Sequence, residues 1–125
     1  MIFSSKEMAA ILKSAKMMAL ADGVMTSDEK DVIKHDLESF GIKLDTIESI
    51  AIEHKADNME GAEVITTLSN MTIEQKKYAC GYLAAVMLAD GEIDENEKKL
   101  WSLLSMLADF PTMTLGEAIT YWKKN

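Results

Sequence analysis

Apolar residues along this chain recur at intervals of three and four, and nothing alternates with period two for long, so the pattern predicts helices. Ser4 with Glu7 reads as a capping box opening a helix over 5–21, with a stripe of Met8, Ile11, Leu12, Ala15, Met18 and Ala19 and Gly23 as its left-handed terminator. Thr26 with Glu29 opens a second helix carrying Val32, Ile33, Leu37 and Phe40, closed by Gly41. A third is expected over 44–55, with Asp45 near its start and Leu44, Ile47, Ile50 and Ala51 on its apolar face. Asn58 is the expected cap of a short fourth helix bearing Ala62, Val64, Ile65 and Leu68. Thr72 with Gln75 precedes a fifth over 73–89. Asp94 with Glu97 caps a sixth bearing Leu100, Trp101, Leu103, Leu104 and Leu107, ended by Pro111. Thr114 with Glu117 opens a last short helix, about 114–124, with Ala118, Ile119 and Trp122.

The fifth helix has no charge from Tyr78 to Ala89, and a helix that is apolar all round is buried all round. Its small residues Ala79, Cys80, Gly81, Ala84 and Ala85 allow neighbours to approach closely, which marks it as central. The expected architecture is all-α, a single domain over 1–125 built as a bundle of about seven helices.

Within that bundle one unit occurs twice. Leu20, Ala21, Asp22 and Gly23 fall on Leu88, Ala89, Asp90 and Gly91, and Glu29 and Lys30 fall on Glu97 and Lys98. Apolar positions align as well: Met25 with Ile93, Val32 with Leu100, Ile33 with Trp101. Each copy is a long apolar helix, an Ala-Asp-Gly corner and an amphipathic helix, which predicts two pseudo-symmetric repeats over about 5–41 and 72–110.

Helix, Ala-Asp-Gly, a few residues, Glu, helix, in two copies over about residues 5–110, is similar to the TerB-like family, which includes tellurite-resistance TerB proteins and the cytosolic domain of DjlA-type co-chaperones. The resemblance implies an all-helical domain with an acidic cluster, linked to metal-ion stress and to assemblies at the inner face of the membrane. Asp22, Glu29, Asp90 and Glu97 are the positions that carry over. The first copy departs from the pattern: Val24 and Met25 replace Glu92 and Ile93, and Thr26 stands where Asp94 does, which implies unequal ion affinity in the two halves. There is no J-domain signature, so co-chaperone activity does not carry over.

The corners also resemble half of an EF-hand loop, but that reading fails on its ligands. With Gly91 at loop position 6, Asp90, Asp94 and Glu97 fall on positions 5, 9 and 12, while Val86 and Leu88 occupy positions 1 and 3, where oxygen ligands are needed. Met18 and Leu20 do the same in the other copy. Glu29 and Glu97 have a structural role ready as the third residue after a cap. Asp22 and Asp90 are placed at helix C-terminal ends, where the macrodipole disfavours a negative charge. An Asx turn, pairing with Lys30 or Lys98, a bound cation or a partner's Lys or Arg would each offset this. If both corners face one another, four carboxylates recruit a cation, and an all-oxygen ligand set favours Ca²⁺ or Mg²⁺ over zinc. Asp28, Glu92 and Asp94 would add charge at the rim.

Composition narrows the partners. The net charge of −8 argues against nucleic acid and against an anionic membrane surface, and favours cations and basic protein surfaces. Cys80 is the one cysteine, so no disulfide forms within the chain, which suits a reducing cytoplasm. Lys6, Glu7, Lys13 and Lys16 interrupt the N-terminal stretch, so no signal-peptide core is expected, and the longest apolar run, Leu83–Ala89, is far short of a membrane span. His35 and His54 read as surface residues and Cys80 as an inert core thiol. Met8, Met18, Met87 and Met106 read as core filler, while Met17, Met25, Met59, Met71 and Met113 are candidates for an adaptable binding surface. Trp101, Tyr121 and Trp122 either anchor a partner or bury the last helix.

Three functions stay open: a non-enzymatic interaction and stress-response module with a weak divalent-cation site or a basic-partner site at Asp22, Glu29, Asp90 and Glu97; a helical adaptor without a ligand; and, remotely, a hydrolase using paired carboxylates. The expected location is the cytoplasm, with a protein partner and no catalytic residues.

Overall fold

Five of the helices start in the same way: a Ser or Thr hydroxyl accepts the N–H of the third helical residue, whose side chain accepts the cap's own N–H. In this computed structural model, which describes residues 2–21, 23, 26–89, 91 and 93–125, those boxes open α1 (Ser5–Ala19), α2 (Ser27–Ser39), α3 (Ile47–Asp57), α5 (Ile73–Met87) and α7 (Leu115–Lys124). At α6 (Glu95–Leu107), Asp94 accepts from the N–H groups of Asn96 and Glu97. Only α4 (Gly61–Ser69) starts without a side-chain cap, at Glu60. The described residues form these seven helices, no strand, and one domain.

The core is built on two helices. α1 packs against α2, α3, α4, α5 and α6, and α5 packs against α1, α2, α6 and most extensively α7. Both are buried on nearly every side, from Met8 to Ala19 in one and from Tyr78 to Met87 in the other, apart from half-buried positions such as Lys13, Lys16 and Ala85. The expected centrality of the uncharged helix therefore holds, and α1 shares it. Phe3, Phe40 and Tyr78 close one end, with ring centroids 5.1–6.1 Å apart. On another side the Trp101 indole N–H donates to the Cys80 carbonyl at 3.1 Å.

Several expectations are corrected. The third helix begins at Ile47 rather than 44, because Asp45 takes a left-handed φ of 60° and Thr46 forms the capping box with Ser49. Its buried face is Ser49, Ile52 and Ala56, spaced three and four apart; Ile47, Ile50 and Ala51 point away, and Ile47 is 88 % exposed. Asn58 caps the end of α3, donating from its side chain to the His54 carbonyl at 2.8 Å, and does not open α4. α6 ends at Leu107 with Ala108 as its C-cap, closed by Asp109 at φ 56° with Phe110 N–H bonded back to the Ser105 carbonyl at 2.8 Å, so the helix has already stopped before Pro111. Only a narrow face of α6 is covered, at Trp101 and Leu104, so Leu103 and Leu107 are exposed. Met106, expected in the core, is 70 % exposed, while Met59 and Met71, expected at the surface, are buried. Among the described residues no helix is long and apolar enough to cross a membrane.

The α5–α7 seam turns on a missing side chain. A Cβ at Gly81 would collide with the Ala118 carbonyl oxygen and come within 2.6 Å of Trp122 Cβ. Gly81→Ala gains about 1 kcal/mol of helix propensity but forces apart two helices that meet there through the Ala118 backbone and Trp122 Cβ, costing about 2–3 kcal/mol. Thermal unfolding will show a lower Tm for Gly81→Ala, whereas Gly116→Ala, where a Cβ meets nothing within 4 Å, will not lower it.

Candidate functional site

The helix ends that lead into the two corners make matching backbone hydrogen bonds. At the end of α1 the Leu20 N–H reaches the Lys16 carbonyl, Ala21 reaches Met18 and Gly23 reaches Leu20 at 2.8 Å. At the end of α5, Leu88, Ala89 and Gly91 bond in the same way to Ala84, Val86 and Leu88, the last at 3.0 Å. Gly23 and Gly91 have φ of 90° and 82°, the left-handed region that favours glycine, which is why each corner needs one there. α1 and α5 are each 15 residues long, and α2 and α6 each 13.

Of the residues singled out from the sequence, Asp22, Val24, Met25, Asp90 and Glu92 lie outside the described residues. Glu29 is 2 % exposed, and its Oε1 accepts the Thr26 N–H at 2.9 Å. Its own N–H donates to Thr26 Oγ1 at 3.1 Å, so the structural role expected of it is fulfilled. Glu97 is 4 % exposed, and its N–H donates to Asp94 Oδ1 at 3.1 Å. Asp94 is thereby engaged as a helix cap, and Asp28 is exposed in the first turn of α2. Among the described residues no group of three or more His, Cys, Asp or Glu stands close enough to hold a metal ion. His35 and His54 are exposed, and burial pushes the Cys80 thiol up to about 11, leaving it protonated and unreactive at neutral pH.

A third acid is buried more deeply than either glutamate, and the sequence reading passed over it. Asp36 is 0 % exposed. Its Oδ1 accepts the Tyr78 hydroxyl at 2.9 Å, while Oδ2 and the buried Tyr82 hydroxyl have no hydrogen-bond partner. Burial pushes its carboxyl up to about 7, partly offset by the Tyr78 hydrogen bond, and the same surroundings push both phenols up. A cleft of about 280 Å³, lined by His35, Ser39, Tyr78, Trp122, Lys123 and Asn125, lies on the outer side of Tyr78. The signal was available: Asp36 stands four residues after Val32 and four before Phe40, on the apolar stripe itself, where an ionised acid has no place unless paired.

Comparison with known proteins fits this architecture. The family described as tellurite resistance protein TerB matches over residues 7–115. The chain belongs to the TerB family. It is 38 % identical to a crystallised protein of unknown function from Porphyromonas gingivalis W83, with a TM-score of 0.85, covering 100 % of this chain and 99 % of that one. No curated protein matches.

For this TerB-family protein the buried acid sets a pH dependence. The carboxyl of Asp36 is raised in the folded state, so its contribution to stability is full below the ordinary value of 3.8 and is lost as pH rises through about 7. The upper limit of the change is on the order of 4 kcal/mol. The net charge of −8 also relaxes on acidification. The diagnostic is therefore the comparison of denaturant unfolding at pH 5 and pH 8: wild type will lose distinctly more stability over that interval than Asp36→Asn.

Proposed function

We propose that this TerB-family chain is a non-enzymatic cytoplasmic interaction module whose two acidic corners together hold a divalent cation weakly, Ca²⁺ or Mg²⁺ in preference to softer metals. The observation that carries the reading is the burial of Glu29 and Glu97 at corresponding first turns, each following an Asp-Gly corner. Each places a carboxylate in a helix first turn, where the dipole favours an anion, directly behind its Asp-Gly corner. Asp22 and Asp90, each with the wrong sign for a helix C-terminus, are the remaining ligands in this reading, with Asp28, Glu92 and Asp94 supplying charge at the rim. Hard oxygen donors in a chain of net charge −8 suit Ca²⁺ or Mg²⁺. The same corners would accept a basic segment of a protein partner. The exposed Leu103, Met106 and Leu107 of α6 give such a partner apolar surface to cover. A tellurite-related role follows from the family alone.

A second reading is favoured by one observation. Glu29 already spends Oε1 on the Thr26 N–H, as a purely structural cap would. In that case the chain is a helical adaptor whose corners are connectors only.

Titration calorimetry and melting curves with Ca²⁺, Mg²⁺ and Mn²⁺ separate the two. An affinity on the order of 10⁻⁴–10⁻³ M gives about 1.4–2.7 kcal/mol of stabilisation at 10 mM metal. This gain is expected in wild type and absent in the Asp22→Asn/Asp90→Asn double variant. No heat, together with melting unchanged by metal in both proteins, removes the cation site.

A further inference from the structure

The Asp36 carboxyl has no place in the corner chemistry, and its surroundings describe a different device. From α5 it faces the hydroxyls of Tyr78 and Tyr82; the first donates to Oδ1 at 2.9 Å and the second has no hydrogen-bond partner. Behind Tyr78, on the N-terminal side, the packing is aromatic, with Phe3 at 5.3 Å and Phe40 of α2 at 6.1 Å between centroids. Charged and polar groups line the cleft at Tyr78: His35 and Ser39 from α2, Lys123 from α7 and Asn125 after it. Among the described residues no ion pair reaches Asp36. An acid with one neutral donor, one idle oxygen and no cation is accommodated as the protonated carboxyl, which needs less solvation and gains an O–H donor of its own.

The end of α7 lies beside the two tyrosines of this cluster. The Trp122 ring lies 6.3 Å from the Tyr82 ring, tilted by 42°, and shares the cleft with Tyr78. α7 packs chiefly on α5, whereas α1 and α5 are each held by several helices. Beyond Trp122 the residues of α7 are exposed. The last turn of α7, exposed from Lys123 on, is the part of that seam with least to hold it, and Trp122 and Lys123 line the cleft beside Tyr78.

We infer that Asp36 is a proton-operated latch for the C-terminal helix: protonated, it lets α2 close on α5 with Trp122 seated over Tyr82; ionised, it is relieved by opening of the last turns of α7, which admits water and the Lys123 ammonium to the carboxylate. The step is a single proton release from the Asp36 carboxyl to solvent, coupled to helix undocking.

Amide hydrogen exchange resolved to segments, corrected for the intrinsic pH dependence of exchange, tests this on the full chain at pH 5, 6, 7 and 8. One proton released per opening makes protection over residues 118–124 fall about tenfold per pH unit up to pH 7 and level off above it. Exchange there is expected to be faster than in α1, so that the opening is local. In Asp36→Asn the pH slope disappears. Histidine as a class titrates near neutrality, so His35→Gln is the control, and it is expected to keep the slope. A slope that survives in Asp36→Asn and vanishes in His35→Gln assigns the effect to the imidazole and overturns the latch. Exchange of α7 no faster than that of α1 also overturns it, because the opening is then global. Should Asp36→Asn fail to fold, the ¹³C resonance of the Asp36 carboxyl in wild type decides: titration near neutrality supports the latch, and titration in the ordinary carboxylate range refutes it.

Discussion

Everything in this molecule follows from the burial of two helices, α1 and α5, whose surfaces have almost no polar face to offer to water. A helix of this kind can only exist inside a jacket of others, and in 125 residues the jacket must be made of short pieces. α3 and α4 cover α1, α7 covers α5, and α2 and α6 each bridge the two. Close approach is possible because α5 is built of small residues at the contacts, and at Gly81 the α7 backbone occupies the space where a side chain would stand. The short jacket helices carry little intrinsic stability of their own. Their caps fix where they start, and the apolar surface they bury on α1 and α5 holds them.

A jacket drawn from an acidic chain brings carboxylates inside. Glu29, Asp36 and Glu97 are all buried, and they are not accommodated alike. The two glutamates sit in first turns, where backbone N–H groups and the positive end of the helix dipole favour an anion, so their charge is compatible with burial. Asp36 sits in the last turn of α2, where backbone N–H donors are committed to the helix and the dipole disfavours an anion, and its one hydrogen bond comes from a phenol. The first situation stabilises a charge; the second favours its neutralisation. That difference separates two carboxylates placed at helix N-termini from one placed among phenols, where a proton is favoured.

Legibility differed from element to element for physical reasons. Caps are local chemistry, and Ser4–Glu7, Thr26–Glu29, Thr72–Gln75 and Thr114–Glu117 formed as read. α3 was misread because Thr46–Ser49 is a weaker cap signature and two apolar faces compete on that helix: Ile47 and Ile50 against Ile52 and Ala56. Nothing within residues 44–57 says which face meets α1. Met59, Met71 and Met106 were misassigned for the same reason, since an adaptable side chain fits either environment. Asp36 was passed over because a polar residue on a stripe reads as an interruption until the partner helix shows a phenol aimed at it.

The amino-acid sequence by itself determined the helices, their caps, the glycine corners and the need to bury α1 and α5, because each of these depends on residues within a few positions of one another. Tertiary structure alone decided which face of α3 and α6 is wet, that α7 closes over Tyr82, and that an aspartate forty-two residues from Tyr78 becomes its hydrogen-bond partner. Those outcomes depend on which surfaces meet, and the free energy of a buried group is set by neighbours that the chain brings from elsewhere.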